Sequence, residues 1–326
     1  MEEQNKKEIW SKSEIGKAIW TGIVIFILIV FAYFLFYSIL DIQSKIGTTE
    51  NKSVDNSVDN FVLISKLKQI PLEANAIFIW DVYNQKEIFS KNPEMQLPLA
   101  SLSKAMTALV ASDYEDKNII VKIDEENLKH DGNNGLVDKE RWNLKDLLDF
   151  TLLSSSNDGA NAVASAIRAI SKKENEKTTF TDLMNKKARE LNLKQTYFLN
   201  ESGLDVDETY LSGSYGSARD ITMLFDYIIK NKPQIFEATS YKNLSLKSED
   251  KIHNTENTNE IINEIPFVIA SKTGYTDLAG GNLVTAFDNG MMRPIIVSIL
   301  GSSREGRFKD MKNIVDVILQ PRDDRE

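Results

Sequence analysis

The chain has 326 residues, a formal charge of −9 at pH 7 and no cysteine. This length suits one large domain or two small ones, and 42 % hydrophobic with 27 % charged residues is a globular composition. The excess of acidic residues argues against a nucleic-acid partner, and the lack of cysteine excludes disulfides and thiolate metal sites.

The first element is an uncharged, apolar segment at residues 18–40. As a helix it would be about 34 Å long, enough to cross the hydrocarbon core of a bilayer. It is too long for the apolar part of a signal peptide, and no small-residue cleavage site follows it. Lysines are concentrated on its N-terminal side, at Lys6, Lys7, Lys12 and Lys17. The positive-inside rule therefore predicts a single-pass signal anchor, with residues 1–17 in the cytoplasm and the rest of the chain outside.

Residues 41–60 are polar and contain the near-repeat Ser53-Val54-Asp55-Asn56-Ser57-Val58-Asp59-Asn60. We interpret them as a flexible tether with an r.m.s. reach of about 25 Å, and a short ordered packing segment is the alternative. A folded catalytic domain is then predicted at residues 61–321, followed by a short tail at residues 322–326.

The predicted elements of this domain begin with a hairpin. Residues 76–82 have the pattern of a buried strand, and residues 86–90 pair back through Asn84-Gln85. Helices are predicted at residues 101–112, 144–153, 158–170, 181–191 and 218–231. Strands return at residues 267–272, 282–287 and 294–300. Because strands lie at both ends with helices between them, we predict an α+β fold with one antiparallel sheet built from both termini.

The last predicted helix, residues 305–319, carries an apolar stripe. The stripe consists of Phe308, Met311, Ile314, Val315 and Ile318. Such a stripe fits either a membrane surface or the protein's own sheet, and we expect it to pack on the sheet.

Three short motifs occur in the order S-x-x-K, S-x-N and K-T-G. They are Ser101-Leu102-Ser103-Lys104, Ser155-Ser156-Asn157 and Lys272-Thr273-Gly274. The first two are weak signals alone, because S-x-x-K also occurs at Ser65 and Ser248, and S-x-N at Ser90. Ser65 and Ser248 have charged or polar surroundings, whereas Ser101 follows Leu97-Pro98-Leu99-Ala100 and opens a predicted helix. Order and context therefore favour Ser101.

Residues three apart on a helix share a face, so the Lys104 amine can reach the Ser101 hydroxyl. An alcohol needs a base to become a good nucleophile, and lysine serves when burial and a facing cation, here Lys272, lower its pKa. A Ser-His-Asp triad would need His130 or His253, both of which we place in polar loops. We predict Ser101 as nucleophile and Lys104 as base, with no metal and no cofactor. Taken alone, the first motif would more often be an N-cap serine beside a solvated lysine.

These motifs resemble those of the D-alanyl-D-alanine carboxypeptidases of the low-molecular-mass penicillin-binding type, serine peptidase family S11, over residues 70–320. The similarity extends to residues 275–280 and to Ser217-Ala218-Arg219-Asp220 after an Asn200-x-x-Gly203-Leu204 stretch. It implies the penicillin-binding/β-lactamase-like transpeptidase fold, a five-stranded antiparallel sheet flanked by helices. It also implies an extracytoplasmic enzyme whose substrates are peptidoglycan stem peptides ending in D-Ala-D-Ala, and which β-lactam antibiotics acylate.

In this scheme Ser101 attacks the carbonyl of the penultimate D-alanine. The resemblance and the helix start point to the backbone N–H groups of Ser101 and Tyr275 as donors to the oxyanion. Ser155 would relay the proton to the leaving amine, and Asn157 would hold the substrate amide.

The third motif is expected to bind substrate. Lys272 would add positive field, Thr273 would bind the terminal carboxylate, and Gly274 would leave room for the substrate backbone. Arg307 matches an arginine that relatives use for this carboxylate. Arg304 is its rival, and a solvated surface position for Arg307 is the alternative.

Two positions depart from the family pattern. Ser156 stands where glycine is common, and Ile269-Ala270-Ser271 stands where relatives often have Asp-Gly. We expect both positions to line the cleft wall and to influence substrate preference more than chemistry.

Three other functions share these motifs. A β-lactamase would need a glutamate-held water, and residues 174–178 do not supply the Glu-x-x-x-Asn element. A D,D-endopeptidase that cuts peptidoglycan cross-links uses the same site and stays open. A non-catalytic wall-binding or penicillin-sensing module would not need three intact motifs. We therefore predict a membrane-anchored serine D-Ala-D-Ala carboxypeptidase at the bacterial cell membrane.

Overall fold

Strands from both ends of the folded domain and the helices between them make up most of the residues that the computed structural model describes, namely 23, 25, 26, 28, 30–33, 56–114, 118–129, 135–171, 177–206, 210–290 and 292–320. The strands are β1 (Ala76–Asp81), β2 (Lys86–Lys91), β3 (Leu97–Pro98), β4 (Ile120–Lys122), β5 (Arg141–Asn143), β6 (Tyr197–Phe198), β7 (Ser214–Gly216), β8 (Asn243–Lys247), β9 (Ile252–Glu256), β10 (Val268–Thr276), β11 (Gly280–Asp288) and β12 (Pro294–Ser302). The α-helices of the domain are α1 (Asn56–Gln69), α2 (Ser103–Ser112), α3 (Leu144–Leu153), α4 (Asn157–Ser171), α5 (Phe180–Glu190), α6 (Ala218–Asn231) and α7 (Gly306–Leu319). The chain divides into compact units at residues 1–59 and 60–326, and the second unit carries the motifs.

The central sheet has five antiparallel strands in the order β10-β11-β12-β1-β2. β1 pairs with β12 from Ala76 opposite Leu300 to Asp81 opposite Ile295. The N-terminal hairpin and the three C-terminal strands therefore form one sheet, as strands at both ends of the domain predicted. The α+β fold with a five-stranded antiparallel sheet is confirmed.

Helices cover both faces of this sheet. Side chains alternate along a strand, so Phe78 of β1 joins a core with helices α2 to α6, while Ile77 and Ile79 join a second core with α1 and α7. Burying each of these side chains stabilises the fold by about 1.5–3 kcal/mol. The apolar stripe of α7 is buried in the second core, which confirms that it packs on the sheet.

The strand assignments differ from the prediction at the end of β10 and at strands β3 to β9, none of which was predicted. The strand predicted at residues 267–272 continues to Thr276, because the whole third motif pairs with β11. Thr-Gly-Tyr-Thr lacks the run of apolar residues from which a buried strand is recognised. The hairpin of β8 and β9 was not predicted: Leu244 and Leu246 alternate with polar residues in β8, but β9 is polar apart from Ile252 and shows no such alternation.

Helix α1 begins at Asn56, before the predicted domain start at residue 61. Residues 56–60 of the predicted tether are therefore helical, while the compact unit begins at Asn60, one residue before the predicted domain start. The helix start was not predicted because Ser, Asp and Asn favour both loops and helix N-termini. Residues 1–17, 41–55 and 322–326 lie outside the described residues.

Part of the predicted membrane segment, residues 18–40, is described. Residues 23, 25, 26, 28 and 30–33 are helical and exposed, and the other positions lie outside the described residues. Within the described part of the chain, no helix has both the length and the hydrophobicity needed to cross a bilayer. The anchor stays a prediction from sequence.

Candidate active site

The predicted nucleophile lies in a tight turn rather than in an α-helix. Ser101 is the middle residue of the 3₁₀ turn Ala100–Leu102, and α2 begins after this turn, not at Ser101 as predicted. Ala100 has a φ of +50°, a left-handed conformation that is unfavourable for residues other than glycine. The Asn282 side chain of β11 donates to the Leu99 carbonyl at 3.1 Å. The central sheet thus holds the strained backbone that presents Ser101.

Lys104 is the candidate base, and it is fully buried in the first turn of α2. Its Nζ lies 2.7 Å from Ser101 Oγ, 2.7 Å from Asn157 Oδ1 and 2.9 Å from the Ser202 carbonyl oxygen. Burial lowers the pKa of Lys104 from 10.5 to about 7, and the negative charge of Glu201 opposes that change. A large fraction of this lysine is therefore neutral near pH 7.

The partners of Lys104 determine where its lone pair points. The Asn157 amide oxygen and the Ser202 carbonyl oxygen can only accept hydrogen bonds, so each takes one N–H. A neutral amine has two N–H groups, so its lone pair is left to accept from the Ser101 hydroxyl. This is the arrangement that a general base for Ser101 requires.

The second motif lies between α3 and α4. Ser155 has a φ of +61°, and its hydroxyl accepts from Lys272 Nζ at 2.7 Å. Asn157 is the first residue of α4. Ser156 is fully buried, and its hydroxyl accepts from the Gly159 N–H at 3.0 Å, which caps the helix. The expectation that Ser156 lines the cleft wall is therefore wrong, because its side chain stabilises the helix that positions Asn157.

The residues at the second departure from the family pattern are also buried in the protein interior. In Ile269-Ala270-Ser271 the last two residues are buried. Ser271 Oγ accepts from Asn259 Nδ2 at 2.9 Å, and the Ser271 N–H donates to Thr239 Oγ1 at 3.1 Å. Ala270 and Ser271 therefore support β10 from within and do not line the cleft.

Lys272 joins the second motif to the third. Its buried Nζ donates to Ser155 and, at 2.9 Å, to the Thr273 carbonyl oxygen. Burial lowers the pKa of Lys272 well below the usual lysine value, and the charges of Lys104 and Arg307 lower it further. Burial is the largest cause of the lowered pKa of both lysines, and the repulsion between Lys104 and Lys272 opposes protonation of both at once.

Gly274 allows β10 to approach the nucleophile turn. A Cβ at this position would lie 2.8 Å from the Leu99 carbonyl oxygen and 3.2 Å from the Ser101 backbone nitrogen. The space that was predicted to admit a substrate backbone is therefore taken by the turn that carries Ser101. Glycine is needed here because the two backbones touch.

The two arginines have different environments. Arg307 is buried, and its Nη1 donates to the Gly274 carbonyl at 2.8 Å. Burial, followed by the charge of Arg304, lowers the pKa of Arg307 to about 10. Arg304 is exposed, with its guanidinium 5.3 Å from the centre of the Tyr275 ring. Arg307 is thus not a solvated surface arginine, and the choice between the two as carboxylate ligand stays a prediction.

Sequence reasoning missed several residues that complete the site. These are Glu201, Ser202, Thr258 and Asn282. Thr258 Oγ1 lies 2.6 Å from Thr273 Oγ1, beside the predicted carboxylate site. Side chains such as Thr258 have no sequence signal, because only the pairing of distant segments brings them to the motif.

The sequence did contain one signal for the loop that carries Glu201 and Ser202. Gly203, in the Asn200-x-x-Gly203-Leu204 stretch, has a φ of +78°. A Cβ there would lie 1.9 Å from the Ala100 carbonyl oxygen. The glycine therefore marks the place where this loop packs against the nucleophile turn.

The rival serines have other environments. Ser65 lies on α1, and its hydroxyl donates to the Val62 carbonyl at 2.8 Å. Ser248 lies between β8 and β9, and its hydroxyl donates to the Lys251 carbonyl at 3.2 Å. Both hydroxyls are used within their own segments, which favours Ser101 as the nucleophile.

His253 is also committed elsewhere. It lies on β9 rather than in a polar loop, and its Nε2 is 2.5 Å from Glu140 Oε1. The Trp142 and Phe150 rings enclose it at 4.9 and 5.3 Å. His130 lies outside the described residues. Among the described side chains, no group of three or more His, Asp and Glu residues is placed to hold a metal ion.

Comparison with known proteins identifies the family. The family model described as D-alanyl-D-alanine carboxypeptidase, peptidase S11, matches residues 64–303. This range contains all three motifs and all five strands of the central sheet. The chain belongs to the D-alanyl-D-alanine carboxypeptidase family.

Relatives within this carboxypeptidase family carry two kinds of name. D-alanyl-D-alanine carboxypeptidase DacF of Bacillus subtilis is 30 % identical over 257 residues, which cover 77 % of this chain and 63 % of that protein. The D-alanyl-D-alanine endopeptidase of Escherichia coli is 28 % identical over 246 residues, which cover 72 % of this chain and 74 % of that protein. The match to DacF thus spans less than two thirds of that carboxypeptidase.

Solved structures of similar proteins share the fold. Penicillin-binding protein D2 from Listeria monocytogenes, in its ampicillin-bound form, has a TM-score of 0.66 and 27 % identity, covering 77 % of this chain and 100 % of that chain. D-alanyl-D-alanine carboxypeptidase DacD from Francisella tularensis has a TM-score of 0.67 and 22 % identity, covering 77 % of this chain and 71 % of that chain. The second likeness shows the fold alone.

Proposed function

We propose that this protein is a serine-type D-Ala-D-Ala carboxypeptidase that removes the terminal D-alanine from peptidoglycan stem peptides through an acyl-enzyme on Ser101. The observation that carries this proposal is the buried Lys104 amine, 2.7 Å from Ser101 Oγ and with its pKa lowered to about 7. A base with this pKa accepts and returns protons efficiently near neutral pH. Membership of the carboxypeptidase family supports the substrate class.

Acylation forms a bond between Ser101 Oγ and the carbonyl carbon of the penultimate D-alanine, while the Oγ proton passes to Lys104 Nζ. The negative charge on the carbonyl oxygen needs donors, for which we propose the backbone N–H groups of Ser101 and Tyr275. Collapse of the intermediate breaks the C–N bond, and the leaving D-alanine amine takes a proton from the Ser155 hydroxyl. The proton that Lys104 took from Ser101 then replaces it on Ser155, whose oxygen is held by a hydrogen bond from Lys272 Nζ at 2.7 Å.

Substrate binding is assigned to the groups along β10. Positive charge lies at its C-terminal end, where Arg307 contacts the Gly274 carbonyl and Arg304 lies over Tyr275. A free carboxylate is attracted to such a site. We propose that Thr273 and Arg307 bind the terminal carboxylate and that Asn157 holds the substrate amide.

Hydrolysis completes the cycle. Water attacks the carbonyl carbon of the Ser101 ester, and Lys104 takes a proton from this water. The bond to Ser101 Oγ then breaks, the shortened stem peptide is released, and Lys104 passes the proton to Ser101 Oγ. A β-lactam offers Ser101 a strained amide, so we propose that penicillin acylates the same oxygen. Penicillin-binding protein D2 of Listeria monocytogenes has been solved in ampicillin-bound and cefotaxime-bound forms.

We also propose that residues 18–40 anchor the protein in the bacterial cell membrane, with its catalytic domain outside the cytoplasm. The support is the uncharged apolar sequence and the lysines on its N-terminal side. This orientation would place Ser101 on the side of the membrane where peptidoglycan lies.

The proposal is tested by covalent labelling with a fluorescent penicillin. The parent protein should be labelled, Ser101→Ala should not, and Ser65→Ala and Ser248→Ala should be labelled like the parent. Labelled Ser101→Ala protein would contradict the nucleophile. An unlabelled parent would favour the non-catalytic wall-binding module.

A second candidate function is a D,D-endopeptidase on peptidoglycan cross-links. It is favoured by the relatives named endopeptidase, at 27 % and 28 % identity. Mass spectrometry of peptidoglycan digested with the purified protein separates the two activities. Loss of one D-alanine from pentapeptides supports the carboxypeptidase, and conversion of cross-linked dimers to monomers supports the endopeptidase.

A further inference from the structure

Glu201 lies in the loop that contacts Lys104 from the side not occupied by Ser101 or Asn157. The carbonyl oxygen of the next residue, Ser202, accepts from Lys104 Nζ at 2.9 Å. The carbonyl oxygen of Glu201 itself accepts from Thr107 Oγ1 at 2.6 Å. Because Lys104 and Thr107 are one turn apart on α2, these two bonds hold the backbone of Glu201 beside the base.

The side chain of Glu201 is also held in place. Its Oε1 accepts from Asn161 Nδ2 at 2.9 Å, and Asn161 Oδ1 accepts from Asn127 Nδ2 at 2.7 Å. Asn161 lies one turn after Asn157 on α4, and Asn157 contacts Lys104. A chain of amides thus orients the half-buried carboxylate from the helix that contacts the base.

The surroundings of Lys104 are rich in positive charge. Lys104 and Lys272 repel each other across the site, and Arg307 adds its charge to Lys272 from α7. When Lys104 takes a proton, a buried ammonium forms beside them, and burial disfavours it. The charge of Glu201 raises the pKa of Lys104 against this larger effect. Asp158, next to Asn157 on α4, is a buried acid near the half-buried Glu201.

We propose that Glu201 is a positioning residue for acylation: its carboxylate, oriented by Asn161, stabilises the ammonium form of Lys104 as that lysine takes the Ser101 proton. This inference rests on the proposed function. Glu201 touches neither the substrate nor Ser101 in this scheme, so its effect passes entirely through Lys104. It belongs to none of the three motifs.

The test is the pH dependence of penicillin acylation in Glu201→Gln. Glutamine keeps an oxygen that can accept from Asn161, so the variant removes the charge and little else. Without that charge Lys104 holds its proton less tightly, so the rise of the rate with pH should have its midpoint at lower pH than in the parent. The plateau rate should fall roughly threefold to tenfold, because a weaker base accepts the proton less readily.

Three further variants make the result specific. Glu190→Gln changes the net charge equally on the exposed surface of α5, and its pH profile should match the parent. Glu201→Asp keeps the charge and should restore most of the parental midpoint. Asn161→Ala removes the hydrogen bond that orients the Glu201 carboxylate but keeps its charge. The midpoint should therefore shift to lower pH, by less than in Glu201→Gln. This variant also provides a test if Glu201→Gln does not fold.

The outcomes separate this inference from the proposed function. If penicillin acylates the parent and the midpoint in Glu201→Gln is unchanged, Glu201 has at most a structural role and the inference is wrong. An equal shift of the midpoint in Glu190→Gln would also contradict the inference. If penicillin does not acylate the parent, the proposed function is wrong, and this inference with it.

Discussion

Lys104 and Lys272 are residues of a type that is almost never fully buried without a partner charge. A buried ammonium is so unfavourable that a lysine in such a place tends to lose its proton. Here the polar atoms around Lys104 bind its two N–H groups, and the lone pair faces Ser101. At the scale of single residues, the burial that destabilises the Lys104 ammonium is what suits this lysine to the proposed role of base.

The first prediction at this scale is a pH dependence. In the proposed mechanism neutral Lys104 is the active form, and because its pKa is lowered to about 7, that form predominates above about pH 7. The rate of penicillin acylation should rise with pH through a midpoint near this value and then level off. Lys104→Arg stays protonated throughout and should abolish acylation. A rise centred near the ordinary lysine value of 10.5 would contradict the assignment.

The second residue-scale prediction concerns the carboxylate site. Arg307→Ala should slow turnover of an acyl-pentapeptide by roughly one to two orders of magnitude, since a charge-assisted contact is worth about 1.5–3 kcal/mol. A substrate with an amidated C-terminus should be poor for the parent and lose little more in the variant. Equal loss on both substrates would mean that Arg307 acts only by supporting the Gly274 carbonyl. Arg304→Ala is the matched comparison.

At the scale of elements, the site depends on backbones that touch. The nucleophile turn is enclosed by β10 at Gly274 and by the loop that contains Gly203. Neither position has room for a Cβ, so each glycine sets how closely two elements approach. Ala100 and Ser155, both in the site, have positive φ angles that are unfavourable for these residue types. Contacts with neighbouring elements keep them in these conformations.

Gly203→Ala tests this contact. Its φ of +78° and a Cβ 1.9 Å from the Ala100 carbonyl oxygen should together lower the free energy of unfolding by about 3–5 kcal/mol. Gly290→Ala is the control, because its φ is +93° but no atom lies within 4 Å of the added Cβ. That variant should lose only about 1–2 kcal/mol, the cost of the conformation alone. Equal losses in urea denaturation would mean that the close approach at Ala100 is unimportant.

At the scale of the whole molecule, a sheet between two helical layers connects the motifs. Ser101 and Lys104 belong to the turn and helix after the N-terminal hairpin, whereas Lys272 belongs to an edge strand contributed by the C-terminal part. The hydrogen bond from Lys272 to Ser155 joins residues that are 117 positions apart in the chain, so it depends on the folded domain. We expect activity to be lost with global unfolding, without a partly active intermediate.

The membrane anchor is the prediction that concerns the full chain. N-terminal sequencing of protein from membranes should begin at or near Met1, because the apolar segment has no cleavage site after it. A start near residue 41 would show a cleaved signal. A chain shortened to begin at Asn56 keeps α1, so it should be soluble and acylated by penicillin at the parental rate.

Much of the fold was predictable because its signals are local. The alternation or continuity of apolar residues marks β1, β11 and β12, and the stripe on α7 marks the face that packs on the sheet. The end of β10 was missed because its residues lack such a pattern, and the β8–β9 hairpin was missed because only β8, with Leu244 and Leu246, has it. These segments form strands because their backbones pair with an adjacent strand: the end of β10 with β11, and β8 with β9.

The family motifs and their order could be read from the amino-acid sequence. The contact of Ser101 with Lys104 could be read as well, because residues three apart are neighbours in a helical turn. The groups that complete the site could not. The Ser202 carbonyl contacts Lys104, Asn282 contacts the Leu99 carbonyl and Thr258 contacts Thr273, and each comes from a distant part of the chain. Folding also placed Ser156 and Ser271 in the interior. Burial, the close approach of backbones and the electrostatic effect of one charge on another all depend on distances that exist only in the folded protein.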